Sequence, residues 1–337
     1  MSKKIIIGII VSVFIIITAA SLGSTSISLG DTFMIILHKI FGIPVSENID
    51  AKNIPIVWLL RLPRVLLAFL IGGSLAISGA VCQSILRNPL ASPYILGVSS
   101  GASLGAGIII ISGITLPVLG GFSLPITGFI SGLLTVFFVA SFSSRLDKSM
   151  SNNTIILCGM VLSLFLNAML TTLSAVFSDD LRRIVLWQMG SFAMRGWTYI
   201  GLLLPFLFIG LAGILLYTKE MDILSFGDEQ AKSAGVETGA LRKKLLALCA
   251  ILTGASVALS GIIGFVDLIA PHAARRITGS RHRQLIPMSF ILGGSLMVCA
   301  DLIARTIISP SELPVGAITA LIGAPFFAWV YFRRRKI

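Results

Sequence analysis

Long, nearly unbroken apolar runs alternate with short polar interruptions along most of this chain. The runs are too long for strands of a globular sheet, which usually hold about 5–6 residues. They fit instead the roughly 20 mainly apolar residues that a helix needs to cross a bilayer. Read run by run, the pattern predicts about ten spanning helices, near residues 4–22, 64–84, 93–113, 121–143, 154–177, 197–217, 243–260, 262–275, 285–307 and 314–332. The eighth run is too short for an upright crossing and contains Pro271. A half-helix or tilted segment is expected there, packed inside protein, where a broken backbone is tolerated. The expected fold class is an all-α integral membrane protein, with a single transmembrane domain over residues 1–337. The two largest polar stretches, 23–60 and 218–242, are each too short to fold as an independent catalytic domain.

Composition identifies the solvent. Only 12% of residues are charged and 55% are hydrophobic, with a mean hydropathy of +0.98. A soluble domain carries roughly 25% charged residues, so lipid must replace water around most of this surface. The net charge of +12 would raise nucleic acid as a partner in a soluble protein. Here the basic residues gather at the ends of apolar runs, and no soluble basic domain exists to carry nucleic acid.

Charge asymmetry orients the chain. With the N-terminus inside, the inner segments hold Lys3, Lys4, Arg87, Arg145, Lys148, Lys219, Lys232, the run Arg242-Lys243-Lys244, Arg275, Arg276, Arg281, Arg283 and the Arg333 to Lys336 tail. The outer segments hold fewer, among them Lys39, Lys52, Arg61, Arg64, Arg182, Arg183, Arg195 and Arg305. That bias follows the positive-inside rule and puts both termini in the cytoplasm. The first apolar run could also be read as a signal peptide; an uncleaved first span is expected, because many further spans follow.

Candidate chemistry is sparse. Cys82, Cys158, Cys249 and Cys299 lie inside apolar runs and form no CxxC pair, so they read as small buried hydrophobes. His38, His272 and His282 lack metal-ligand spacing. Residues 97–105, with Gly97, Gly101 and Gly105, superficially suggest a phosphate loop, but no Lys-Ser/Thr completes a nucleotide motif here or elsewhere. Small residues at that spacing, like the Gly72-Gly73 and Gly293-Gly294 pairs, let membrane helices approach closely. No Ser/His/Asp, paired-carboxylate or metal constellation is visible in the spacing. The chain therefore reads as a transport subunit without a catalytic site or a cofactor of its own. If ATP drives it, a partner must supply the ATPase.

The inner stretch Leu224-Ser-Phe-Gly-Asp-Glu-Gln-Ala-Lys-Ser-Ala-Gly-Val236 predicts a short helix on the membrane face. Asp228 and Glu229 suit its first turn and Gly235 its stop. Such a helix is either a docking element or a mere connector.

Here a resemblance enters. Glu229-Gln-Ala-Lys-Ser-Ala-Gly235 resembles the E-x-A-x-x-x-G coupling motif of ABC importer permeases. The chain from about residue 56 to 333 resembles the FecCD family, which includes permeases for iron-siderophores, haem and vitamin B12. The segments that carry the likeness are Arg61-Leu-Pro-Arg64, Gly79 to Pro93, Leu96 to Ala102, Gly264 to Arg275, and Glu312 to Phe327. The resemblance implies a vitamin-B12-permease-like (type II ABC importer) architecture of ten helices. It also implies a second permease copy or close homologue with the path between the two, a pair of cytoplasmic ATPase subunits, and an extracytoplasmic substrate-binding protein.

Residue by residue, the resemblance gives Arg61, Arg64 and Arg305 the role of receiving acidic residues of the binding protein. Arginine offers a fork matched to carboxylates, and charge complementarity steers docking; lipid-headgroup anchoring is the competing role. Gly227, Asp228, Glu229, Ala231, Gly235 and Val236 would form the helix seated on the ATPase. Ala234 departs from the usual leucine. Asn88, Pro89 and Leu90 match a loop that narrows the path, and Asn152 and Asn153 align with a second constriction.

Two acidic residues lie inside apolar runs, where charge defaults to a functional or paired role. Asp301 matches a family aspartate and could pair with Arg305, one helical turn on. Asp267 replaces the usual glycine; it could pair with Arg275-Arg276 or His272, or line the pore. The leading expectation is a plasma-membrane importer of a ferric siderophore in a prokaryote, with haem and corrinoid as alternatives. A proton-coupled transporter using Asp267 and Asp301 is a more distant reading, and a membrane-embedded enzyme lacks a plausible set of reacting groups.

Overall fold

The computed structural model describes residues 2–23, 25–44, 49–114, 120–148 and 150–334, with the side chains of 329–334 left aside. Arg335 and Lys336, expected at the cytoplasmic end, lie outside the described residues. In chain order the helices are α1 (Lys3–Ser21), α2 (Leu29–Phe41), α3 (Asn53–Ile85), α4 (Val98–Ser112), α5 (Ser123–Leu146), α6 (Asn152–Val176), α7 (Leu181–Gln188), α8 (Trp197–Leu216), α9 (Thr218–Leu224), α10 (Asp228–Ser233), α11 (Thr238–Ser260), α12 (Val266–Thr278), α13 (His282–Thr306) and α14 (Val315–Arg334). No strand occurs among the described residues.

Each predicted span corresponds to a helix, yet the spans are not equivalent. Seven described helices are long and apolar enough to cross a membrane: α1, α3, α5, α6, α8, α11 and α13. Val98–Ser112 and Val315–Ala328 are apolar but shorter. The eighth run forms α12, a 13-residue helix that carries Asp267, Arg275 and Arg276. It is the half-length element that its length and Pro271 predict.

The largest boundary shift is at α3, expected from residue 64 but beginning at Asn53. Pro55 and Pro63 fall within this helix. The backbone passes them by widening to a π-helical stretch over Ile56–Arg61, in which the Leu62 N–H reaches back to the Val57 carbonyl. Pro63 has no N–H to continue the ordinary ladder, and the wider register absorbs that loss. At 33 residues α3 is about 50 Å long, well over the roughly 30 Å hydrocarbon core, so its first turns stand outside the membrane. The 23–60 stretch also contains α2, which is amphipathic and so carries no long apolar run.

α3 is the centre of the bundle, with 83% of its most apolar window buried. α13 packs against it where two glycine pairs meet: a Cβ on Gly72 would collide with the Gly293 carbonyl, and one on Gly293 with Ala76. Phe69 and Phe290 flank this crossing edge to face, 5.6 Å apart. α6, by contrast, is only 22% buried and leaves most of one side bare.

Candidate functional site

At the end of the bundle expected to face outward, α1, α3 and α13 bring Arg61, Arg64 and Arg305 together, but each guanidinium turns into the protein. Arg61 is buried and donates to the Ser21 carbonyl at 2.6 Å and to the Thr25 hydroxyl at 2.9 Å, closing the chain after α1. Arg64 donates to Asp301 from Nε (3.0 Å) and Nη2 (2.8 Å), and to Glu312 from Nη1 (2.7 Å) and Nη2 (3.0 Å). Arg305 donates to the Ala19 carbonyl and lies 3.6 Å from Asp301. The pairing of Asp301 with Arg305, one turn along the helix, is thus present, but the closer partner comes from α3. Of this cluster only Glu312, 37% exposed, faces solvent appreciably.

At the inner end, the coupling segment forms the short helix α10. Gly227 precedes it at φ 128°, ψ 162°, a conformation open essentially to glycine alone. Gly235 ends it at φ 81°. There the Val236 N–H donates to Ala231 and the Gly235 N–H to Lys232, both at 2.9 Å, which satisfies the last carbonyls of the helix. Ala231 is buried and Val236 half-buried, whereas Glu229, Gln230, Lys232, Ser233 and Ala234 face out. Phe226, just before the helix, is 77% exposed.

Asp228 turns inward to Arg242 of α11, a side chain with no exposed surface. Arg242 Nη2 donates to both Asp228 oxygens at 2.8 and 3.1 Å, and Nη1 to the Met150 carbonyl at 3.1 Å. Met150 leads into α6, where Asn152 Nδ2 donates to the Leu86 carbonyl at 2.8 Å. The Asn88-Pro89-Leu90 turn follows directly, tied by the Leu90 N–H to Asn88 Oδ1 at 2.9 Å. Pro89 and Leu90 are exposed and Asn88 half-buried. The fold thus joins the coupling segment to both predicted constrictions. Asn152 and Asn153 form the first turn of α6 rather than a loop, and Asn153 faces out.

Asp267 is buried in the first turn of α12 and accepts a hydrogen bond from the Ser92 hydroxyl. Neither of the two expected pairings, with Arg275-Arg276 or with His272, is formed. Arg275 instead donates to the Gln83 side chain, and the His272 ring lies edge to face against Phe326, 6.0 Å away. α12 starts this close to α3 because Gly79 has no side chain: a Cβ there would overlap the Asp267 carbonyl.

Spacing along the chain shows no Ser/His/Asp set, but the fold assembles one. Asp222 Oδ1 lies 2.6 Å from His282 Nδ1, and His282 Nε2 lies 2.6 Å from Ser84 Oγ. Ser84 also donates to the Ala80 carbonyl at 2.9 Å within its own helix. The three residues fasten the C-terminal end of α3, α9 and the start of α13 together. They come from positions 84, 222 and 282, so no local motif could disclose them. Among the described residues, no group of three or more His, Cys, Asp or Glu could hold a metal ion.

The bare side of α6 has one polar surprise. Asn167 and Thr171 are exposed among Leu164, Phe165 and Met169, in the middle of an apolar helix. An amide facing lipid in mid-span is unfavourable, a cost that a protein or water neighbour would remove.

A family profile described as the FecCD transport family matches residues 9–333. The chain belongs to the FecCD transport family. This FecCD chain is 42% identical over 321 residues to the uncharacterized ABC transporter permease protein YvrB of Bacillus subtilis (strain 168), spanning 95% of this chain and 91% of that protein. It is 38% identical over 286 residues to the hemin transport system permease protein HmuU of Yersinia pestis, spanning 83% and 84% of the two. Among solved structures, an inward-facing conformation of a metal-chelate type ABC transporter superposes with a TM-score of 0.85 at 31% identity, covering 98% of this chain and 99% of that one. The protein is accordingly a multi-pass ABC transporter permease. Within this FecCD permease, Arg242, Phe226 and Asn167 are the candidate functional residues that the sequence alone does not single out.

Proposed function

We propose that the chain is the membrane-spanning half of an importer that carries an iron chelate, a ferric siderophore in the leading case, across the plasma membrane of a prokaryote. Ten membrane segments, counting α4, α12 and α14 with the seven long helices, would place both termini in the cytoplasm. The observation that carries the reading is α10. It is a short, capped helix whose outer side is polar and solvent-facing, beside the bare aromatic ring of Phe226. A chain without a nucleotide motif has use for such an element as the seat of an ATPase subunit. A pair of ATPases would dock here, and a second permease, another copy or a close homologue, would cover the bare side of α6. The translocation path would run between the two permeases, narrowed by Asn88, Pro89, Leu90, Asn152 and Asn153.

At the outer end an extracytoplasmic binding protein would deliver the cargo. Arg61 and Arg305 are committed to internal carbonyls, so the docking role expected of the three arginines falls chiefly to Arg64. An incoming carboxylate would exchange with Glu312 there. The iron reading is supported by the hemin system named for HmuU and by the metal-chelate class of the solved relative.

The test is reconstitution of the complete importer in proteoliposomes with ATP inside the compartment that bears α10. ATP-dependent uptake of a radiolabelled ferric siderophore that persists with protonophore present is the expected result. Uptake abolished by protonophore and indifferent to ATP would establish ion coupling instead. Transport of haem or cobalamin in place of the siderophore would redirect the cargo assignment while leaving the importer reading intact.

A further inference from the structure

Resting on the ATPase-driven reading, a further inference concerns how motion at α10 reaches the constriction. We propose that Arg242 is the positioning residue that couples the two, by clamping the docking helix and the gate-bearing turn to a single guanidinium.

A closed circuit of contacts carries the proposal. Asp228 opens α10 and is held by Arg242 through both of its oxygens. The other arm of Arg242 holds the Met150 carbonyl. Two residues on, Asn152 holds the Leu86 carbonyl. The next residue, Arg87, returns to Asp228, its Nη2 3.9 Å from Oδ1. The turn Asn88-Pro89-Leu90 hangs directly from that last link. Arginine suits such a hub because its planar fork engages two partners in fixed relative directions, which the single ammonium of lysine does not.

A second observation is independent of the ion pairs. Met150 and Arg87 both hold left-handed backbone, at φ 49° and 45°. For non-glycine residues this conformation is strained, and it persists where the surroundings over-determine it. Both strained residues lie in this circuit, one on each side of the Asn152–Leu86 link. Met150 is also fully buried, so its carbonyl cannot turn to water if Arg242 lets go. Displacement of α10 by a partner therefore either drags the α5–α6 turn and the gate with it or breaks the buried contacts.

The experiment uses the reconstituted complete importer and reads ATP hydrolysis and cargo uptake in the same vesicles. Arg242→Lys keeps a positive charge for Asp228 but cannot also fork to Met150. Uptake is expected to fall at least about tenfold more than ATP hydrolysis, the size of a typical coupling energy. Asn152→Ala breaks the circuit at a distance from α10 and is expected to give the same loss of uptake per ATP, with the ATPase still co-purifying. Uptake and hydrolysis falling in parallel, or neither changing, would overturn the proposal. So would loss of ATPase co-purification in Arg242→Lys together with normal uptake per ATP in Asn152→Ala, since Arg242 would then merely shape α10. Wild-type vesicles that show no ATP-driven uptake would sink the importer reading itself, a result distinct from coupled uptake that survives both variants.

Discussion

Arg64 grips Asp301 with two nitrogens, Nε at 3.0 Å and Nη2 at 2.8 Å, and so bolts α3 to α13 at one end of the bundle. Asp301 is 1% exposed, and Arg305 approaches it from one turn farther along its own helix at 3.6 Å. One buried carboxylate thus offsets two buried arginines. Asp301→Ala would leave Arg305 without its carboxylate and Arg64 with only the more exposed Glu312. Removing one member of a buried pair costs about 3–5 kcal/mol, and a loss of that size in detergent-solubilised protein is expected. Asp301→Asn, which keeps an acceptor but not the charge, should lose less. Thermal unfolding of the two variants beside wild type makes the comparison, and equal stability of all three would show that the bolt contributes nothing.

Glu312 takes Nη1 of Arg64 and shares Nη2 with Asp301. If a binding protein delivers its own carboxylate to Arg64, Glu312 competes with it. Glu312→Gln should then tighten binding-protein association, by about threefold to tenfold for a partly exposed charge. Binding measured on the permease in nanodiscs would show this. A weakened or unchanged affinity would mean that Arg64 is only a structural bolt. Charge reversal of Arg61 or Arg64 is a poor test of docking, because either change would set a carboxylate among buried partners and disturb the fold itself.

Gly72 and Gly293 should tolerate no side chain, whereas Gly201 in α8 faces open space. Gly72→Ala drives a methyl into the Gly293 carbonyl and should destabilise by about 1–3 kcal/mol, as overpacking generally does. Gly201→Ala should be neutral or stabilising by up to about 1 kcal/mol, the gain in helix propensity. Unfolding of both in the same detergent checks the pair. Equal effects would mean that the glycine pairs do not set the α3–α13 spacing.

Much of this is legible in the sequence, and the gaps have physical causes. Apolar run length places the membrane helices, because lipid demands it of any spanning segment. Gly227 and Gly235 mark the ends of α10, because only glycine relaxes into those backbone angles. The outer arginines are legible as a cluster, but not their direction, since a guanidinium reads the same whether it meets water or a backbone carbonyl. Arg242 is harder still. It sits in the basic run Arg242-Lys243-Lys244, which reads as three membrane anchors, yet Arg242 is buried while Lys243 and Lys244 are exposed. Helical phase decides which of the three turns inward, and the partner that rewards the inward one lies 14 residues back. Asp267 and Ser92 are 175 residues apart and meet only because α12 starts against α3.

Phe226 offers the largest bare aromatic surface next to α10. Interface energy concentrates in aromatic anchors that fill a pocket. Phe226→Ala should weaken association with the ATPase subunit by at least about 2 kcal/mol, near thirtyfold, with little change in the thermal stability of the permease alone. Co-purification across a salt series reads the first effect and unfolding the second. A variant as tightly bound as wild type would place the docking energy elsewhere on the inner face.

Asn167 distinguishes what covers the bare side of α6. Its helix is apolar and long enough to span, and it exposes Asn167 and Thr171 on the side that carries Leu164. If that side faced hydrocarbon, Asn167→Leu would remove an unfavourable amide and raise stability and membrane level. If it faces a second permease across a wet path, the same change replaces a hydrated amide with an apolar plug in the passage. Uptake should then fall by about tenfold, the size of a coupling energy of roughly 1–2 kcal/mol, with membrane level unchanged. Leu164→Cys gives an independent reading: oxidant should join two copies into a disulfide-linked dimer if the partner is another copy of this chain. Higher expression with normal uptake in Asn167→Leu, and monomers only in Leu164→Cys, would assign this side to lipid.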